Sequence, residues 1–271
     1  MKPLRVHGPM IGEYRISDGP FTPLRMKPKV VVGYPVGGSV TLPFHASMLQ
    51  LLAYEITKPD HERLLSKISH TQGLYVGDNR NMLAQEFMKT DAEWLLQIDT
   101  DIEFPKTLLE TMVGLTLNQS VAGERKIVAA NVPLGGGFET VAFQWDPQAG
   151  IWANYKSLPE DLFRCDAAAT AVMLVHREVF EEIASAHGQC WFHHMYIPKS
   201  PEGTRPADFE FHSIGEDTAF CQRAKAAGYQ TWVARVPGLR HHKTRALSED
   251  FGRAMSMAGE DSGVGELVRE G

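Results

Sequence analysis

Cysteine is scarce in this chain. The three present, Cys165, Cys190 and Cys221, are odd in number and widely spaced, with no C-x-x-C. That excludes a paired disulfide framework and predicts reduced thiols in a cytosol-like, cytoplasmic compartment. Cys190 with His193 and His194 makes a fragment of a zinc site, but no second ligand pair lies at a fitting spacing, so a structural zinc is not expected. Long hydrophobic runs are missing too. No stretch reaches the length of a membrane span and the N-terminus has no signal-peptide core, which predicts a soluble chain. Positive charge is in short supply: 27 Lys and Arg stand against 33 Asp and Glu, a formal net charge of -6. That balance disfavours non-specific nucleic-acid binding, which works by neutralising phosphates. The first 29 residues are the exception, with Lys2, Arg5, Arg15, Arg25, Lys27 and Lys29 against Glu13 and Asp18. They read as a solvated arm more readily than as a surface for an anionic acceptor or membrane.

What is present is a chain long enough for a sizeable α/β core. Residues 1–28 carry Pro3, Pro9, Pro20, Pro23 and Pro28 without periodicity and read as an irregular arm. Lys29 to Pro35 reads as a buried first strand ending in a Gly/Pro-marked loop. Phe44, Met48, Leu51, Leu52 and Ile56 fall on one helical face. A second helix is expected over Asn81 to Met88, with Met82, Leu83, Phe87 and Met88 inward, and a third opened by Pro105. Ile127–Val132 reads as a strand, Gly135-Gly136-Gly137 as a flexible loop, and Trp145, Trp152 and Tyr155 as marking a hairpin. Ala167 to Val175 is β-like and leads into a helix over Arg177–Ala186. Residues 187–213 read as a long loop, followed by a helix from Asp217 to Ala227 closed by Gly228, and a last strand over Tyr229–Val236. The order predicts one α/β domain over 29–247 with a mainly parallel sheet, and a loosely held tail over 248–271.

The most informative stretch is Trp94-Leu95-Leu96-Gln97-Ile98-Asp99-Thr100-Asp101. An apolar run without Gly or Pro ends in two carboxylates spaced i, i+2. In open α/β sheets ligands bind outside the carboxyl ends of the strands, where these acids sit. Two neighbouring carboxylates repel unless a cation bridges them, and hard oxygen donors suit Mg²⁺ or Mn²⁺, leaving positions for substrate phosphates. The same triplet also reads as a turn, with one Asp capping the helix near Pro105.

Further motifs follow in order: Gly33-Tyr34-Pro35 after the first strand, Arg80-Asn81, Asp99-Thr100-Asp101, Gly215-Glu216-Asp217 and His241-His242. Together they resemble a nucleotide-sugar glycosyltransferase of the GT-A fold, closest to the family-two-like members of bacteria and phages. The segment from Asp78-Asn79-Arg80-Asn81 to Ile102-Glu103-Phe104-Pro105 is similar to that group in sequence and spacing. The resemblance implies a mixed sheet flanked by helices and a UDP- or GDP-sugar donor bound with Mn²⁺ or Mg²⁺. In it, Asp101 would bind the ion directly and Asp99 would contact ribose or reach the ion through water. One of His241 and His242, with His241 slightly favoured, would complete the metal shell. Gly33, Tyr34, Pro35, Arg80, Asn81, Asp99 and Thr100 would contact the donor, Arg80 through its planar fork. Asp217 would be the base that deprotonates the acceptor hydroxyl in an inverting reaction, and Glu216 would orient the acceptor; a retaining enzyme needs no such base.

Taken alone, Arg80 reads as a surface charge at a helix start, where it would oppose the dipole, and Glu216 and Asp217 read as helix caps. Trp191, His193 and His194, with Phe192 and Tyr196, suggest a sugar-stacking acceptor platform, and core-covering aromatics explain them nearly as well. The acceptor itself is unmarked: a glycan, a protein or a modified nucleic acid. Two rivals remain. A sugar-1-phosphate nucleotidyltransferase would carry a basic residue in its first Gly-rich loop, whereas Gly33 to Ser39 has none. A non-catalytic binding module need not keep both acidic pairs.

Overall fold

The structure is a computed structural model that describes residues 27–116, 125–132, 140–146, 148, 151–198 and 211–242. The expected N-terminal arm up to residue 26, the Gly135-Gly136-Gly137 loop and the tail over 248–271 lie outside them. Strand β1 (Val30–Val36) is followed by α1 (Leu42–Ile56), β2 (Leu65–Gln72), α2 (Val76–Met88), β3 (Trp94–Ile98), β4 (Ile102–Glu103) and α3 (Leu108–Thr116). The second half holds β5 (Ile127–Ala130), β6 (Ala142–Asp146), β7 (Ile151–Asn154), β8 (Leu162–Cys165), β9 (Ala167–Ala168), β10 (Val172–His176) and α4 (Arg177–His187). It closes with β11 (Met195–Pro198), β12 (Phe211–Ile214), α5 (Glu216–Ala226), β13 (Thr231–Ala234) and β14 (Arg240–His241).

Seven strands form the main sheet in the order β2-β1-β3-β10-β5-β13-β8. The first β-α-β units give parallel pairs, β1 with β2 and β3, as short right-handed crossovers dictate. β10 enters the other way, antiparallel to both β3 and β5. β13 pairs parallel with β5 and antiparallel with the edge strand β8. The sheet is therefore mixed and flanked by helices, as the resemblance implies, rather than mainly parallel as element order suggests, because the excursion through β6–β9 brings the chain back to β10 from the opposite end. β6 and β7 make the expected hairpin, with Trp145 opposite Trp152 and ring centroids 5.3 Å apart.

Strand alternation sorts the helices onto two faces. At Gly33 a Cβ would meet Leu83 of α2 and Leu95 of β3 at 3.2 and 3.3 Å, so the missing side chain lets α2 close onto the sheet. The next residue, Tyr34, points the other way and packs edge-on against Phe44 of α1. Tyr54 of α1 donates to Glu110 of α3 (3.0 Å), placing α3 with α1. On the α2 side Phe180 of α4 is the hub, with Phe87, Trp191 and Phe220 of α5 at centroid distances of 5.6, 5.8 and 5.9 Å.

Several boundaries depart from the expected ones. α2 begins at Val76, and Met82 is half exposed, because the inward stripe runs through Gly77, Arg80, Asn81, Ala84 and Phe87 instead. In α1, Ile56 faces solvent and Glu55 is buried, its Oε2 accepting from the Leu64 and Leu65 amides (2.8 and 3.0 Å) and its Oε1 meeting Lys58. Pro105 opens a turn, not the helix: its carbonyl accepts from Leu108, where α3 starts. The β-like run over 167–175 is broken at Ala169-Thr170-Ala171 into two strands, and the long loop contains the β11–β12 hairpin. Among the described residues no helix is long and apolar enough to cross a membrane.

Candidate active site

β3 is buried along its whole length, and its chain leaves the sheet at Asp99 beside the C-terminal end of the parallel β1. The Asp99 amide donates to the Ala171 carbonyl (2.8 Å), which fixes the exit. The Thr100 carbonyl accepts from both the amide and the hydroxyl of Thr41 (3.0 Å each), and Thr100 Oγ1 donates to the Ser39 carbonyl (3.1 Å). Thr100 thus ties the acidic triplet to the glycine-rich loop after β1. Between the two lies a cavity of about 400 Å³, lined by Pro35, Gly37, Gly38, Ser39, Thr41, Val76, Asp99, Thr100, Asp101 and His242. Its described lining holds two carboxylates and no Lys or Arg.

The late histidines reach this site through a turn that only glycine makes easily: Gly238 has φ +85°. The chain then adds β14 antiparallel to β4, with His241 opposite Ile102 and Arg240 opposite Glu103. The His242 amide donates to the Asp101 carbonyl (2.8 Å). The register settles what each imidazole touches. His241 Nε2 lies 3.0 Å from Asp101 Oδ2, with the imidazole nearly buried, while His242 Nε2 lies 2.7 Å from Glu103 Oε2. The carboxylate oxygen is a hard donor of the kind that Mn²⁺ and Mg²⁺ take, and the added imidazole nitrogen fits Mn²⁺ better than Mg²⁺. The 3.0 Å contact between the two groups is itself a hydrogen-bond distance, and an ion held by both would take its place. No group of three or more His, Cys, Asp or Glu among the described residues is arranged to hold a metal, so an ion here would need the rest of its shell from ligand and water.

The acidic pair at the start of α5 sits on the other side of Asp99, and Arg80 joins the two. This residue is 2% exposed, in the second turn of α2 rather than at its start, so neither the dipole argument nor the surface-charge reading applies. Its Nη2 donates to Asp99 Oδ1 (2.9 Å), and its Nε lies 3.7 Å from Asp217 Oδ1. Nη1 stands 3.5 Å from both Gln97 Oε1 and the Thr170 carbonyl, and Nε has no hydrogen-bond partner among the described residues. Burial works against the guanidinium's charge, and the carboxylates of Asp99, Asp217 and Glu216 outweigh it, so the Arg80 pKa is raised. Asp217 Oδ1 also accepts from Thr170 Oγ1, a hydroxyl in the break between β9 and β10. Asp217 is therefore held by partners from two other elements and is more than a helix cap. Glu216 Oε2 lies 3.4 Å from His194 Nε2.

Other expected site residues turn elsewhere. Only Pro35 of the first loop triplet lines the cavity; Gly33 faces Leu83, and Tyr34 is sandwiched with Phe44 and His70. Asn81 is buried, its Oδ1 accepting from the Phe192 amide (2.9 Å), so it holds the 191–193 segment. Trp191 is fully buried and donates from Nε1 to the Phe180 carbonyl (2.8 Å), which removes it from any acceptor platform. His193 and His194 remain half exposed, His193 Nε2 lying 3.6 Å from Asp78. Sequence reasoning missed Thr170, Gln97 and Glu103. Each is a polar residue inside or beside an apolar strand, the one local sign that it has a partner to meet.

Neither a family model nor a curated protein matches this chain. Among solved structures, "Crystal Structure of A197 from STIV" is similar at 15% identity and a TM-score of 0.45, covering 81% of this chain and 97% of that one. At that level the likeness carries no argument about fold or function.

Proposed function

We propose that this protein is a metal-dependent glycosyltransferase of the GT-A type that takes a sugar from a UDP- or GDP-sugar. One observation carries the reading. Asp101 and His241, 140 residues apart, meet at 3.0 Å beside a cavity whose described lining is anionic. A nucleoside diphosphate is itself anionic, so two carboxylates and no described cation in the lining call for a divalent ion as the bridge. Asp101 and His241 would hold that ion, and Asp99 would take ribose or an ion-bound water. When bound, the ion neutralises charge developing on the leaving diphosphate. The cavity volume is within the range of small-molecule sites.

The chain's own groups supply the rest. Pro35, Gly37, Gly38 and Thr100 shape the donor cleft, Thr100 through its ties to the loop after β1. Asp217, its Oδ1 fixed by Thr170, takes the acceptor proton as the hydroxyl attacks the anomeric carbon and the diphosphate departs, which inverts the configuration. His193, His194 and Glu216 remain candidates for the acceptor side. The rival nucleotidyltransferase reading is favoured by Gly37, Gly38 and Ser39 lining the cavity, and disfavoured by the lack of a described basic residue there. A panel of nucleotide sugars with Mn²⁺ separates them. Release of nucleoside diphosphate supports transfer or hydrolysis, pyrophosphate chemistry supports the rival, and binding without turnover leaves a binding module.

A further inference from the structure

Arg80 lies where the resemblance would put a nucleotide contact, yet its surroundings exclude a free fork. It is 2% exposed, its Nη2 edge is spent on Asp99, and its Nε edge faces Asp217 at 3.7 Å without a hydrogen bond. One buried cation is thus shared by the carboxylate that directly follows β3 and the first-turn carboxylate of α5. Thr170 supports both ends: its carbonyl faces Nη1 and its hydroxyl donates to Asp217. Asp99 is 30% exposed and Asp217 25%, so each keeps an open side while Arg80 anchors the other.

We propose that Arg80 is a positioning residue that aligns Asp217 for acceptor deprotonation and ties it to Asp99, and that it is not a nucleotide ligand. This rests on the transferase reading above. Without the guanidinium the two carboxylates would repel, and of the described partners of Asp217 only Thr170 would be left. When donor engages Asp99, Arg80 is freed toward Asp217 by whatever attraction Asp99 gives up, so donor binding firms the acceptor side. The coupling needs no movement of the backbone.

The test uses UDP, GDP and a panel of their sugars with Mn²⁺, reading nucleotide affinity and the rate of nucleoside diphosphate release with water as acceptor. In that release water attacks the anomeric carbon, its proton passes to Asp217, and the bond to the diphosphate oxygen breaks. Arg80→Gln is expected to bind UDP or GDP within about threefold of the parent and to lose about 10²-fold in release rate, the scale of general-base assistance. Arg80→Lys, which keeps a cation but cannot span both acids, should recover part of that rate, and it carries the test if the Gln variant does not fold. Arg80→Gln added to Asp217→Asn should cost less than about threefold more than Asp217→Asn alone, because groups acting as a unit are non-additive. Additive losses would overturn the inference, as would weakened nucleotide binding at unchanged release rate, which would make Arg80 a nucleotide contact. A parent that binds nucleotide but releases none from any sugar also overturns it while keeping the donor site. A parent that binds neither UDP nor GDP with Mn²⁺ sinks the transferase reading itself.

Discussion

Two glycines in helices should respond to the same substitution with opposite signs. Gly77 lies in the first turn of α2, where an added Cβ would sit 2.7 Å from the Phe192 carbonyl oxygen and 3.4 Å from Glu216 Cβ. The first distance is well inside van der Waals contact, and the atom opposing it is backbone that Asn81 holds through the Phe192 amide. Gly77→Ala must push α2 away from the 191–193 segment, an overpacking cost of about 1–3 kcal/mol. Alanine's advantage over glycine within a helix returns about 1 kcal/mol at most, and less in a first turn. The net expectation is a loss of about 1–2 kcal/mol, or a melting temperature lower by about 2–8 °C for a domain of this size. Gly114 in α3 is the internal control, since a Cβ there meets no described residue within 4 Å. Gly114→Ala should stabilise by about 0.5–1 kcal/mol. Urea denaturation of both variants with thermal melts decides the matter. If Gly77→Ala stabilises as much as Gly114→Ala, the close approach of α2 to the 191–193 segment is not real.

Other outcomes follow from burial. Trp191→Ala should cost about 3–5 kcal/mol in denaturant unfolding, while His193→Ala and His194→Ala stay within about 0.5 kcal/mol, since only the tryptophan is core; a small cost at Trp191 would restore it as a surface residue. Burial pushes the Cys165 thiol up to about 12 and that of Cys221 up to about 11, so in the folded protein at pH 8 a maleimide should label Cys190 alone. The same shifts set a stability slope: both folded values lie above the ordinary 9.0, so the contribution is intact below pH 9 and is lost as pH rises toward 11–12. Parent and a Cys165→Ala/Cys221→Ala variant compared by urea midpoint from pH 8 to 11 should show the steeper fall in the parent; parallel slopes would contradict it. Asp217→Asn should slow nucleoside diphosphate release by about 10²–10⁴-fold with donor affinity kept, and the transfer product should have inverted configuration by NMR; retention would leave Asp217 without a base's role.

What was legible in the sequence was mostly local. The buried run of β3 ending in Asp99 and Asp101, the Trp145/Trp152 hairpin, α4 and the helix expected from Asp217, which begins one residue earlier at Glu216, follow from periodicity and punctuation, and each is there. β2 and β8 were missed because they are edge strands with polar faces, and their short runs lack a sustained apolar pattern. The start of α2 was missed because Tyr75 supplies no side-chain cap to mark it. Element order alone suggests a mainly parallel sheet, because an antiparallel strand buried on both faces, such as β10, has the same apolar run as a parallel one, whereas the resemblance implies the mixed sheet observed. The site divides along the same line. That Asp99 and Asp101 face a cleft is a statement about one strand end, and sequence reaches it. That Arg80 is consumed by Asp99 and Asp217, that Trp191 is core, and that His241 meets Asp101 while His242 meets Glu103 depend on contacts across long separations. Local patterning records that a polar residue lies in an apolar setting, and tertiary packing alone says which partner it finds.

The central claim is that Asp101 and His241 hold a divalent ion that binds a nucleoside diphosphate. Its most direct test is calorimetry of UDP and GDP with the parent and with Asp101→Ala, His241→Ala and His242→Ala, each with Mn²⁺ and with chelator, after melts show the variants folded. The account predicts binding in the parent only with Mn²⁺, none in Asp101→Ala, at least a tenfold loss in His241→Ala and little change in His242→Ala. Equal binding with and without metal, or an Asp101→Ala variant that keeps Mn²⁺-dependent affinity, would contradict it.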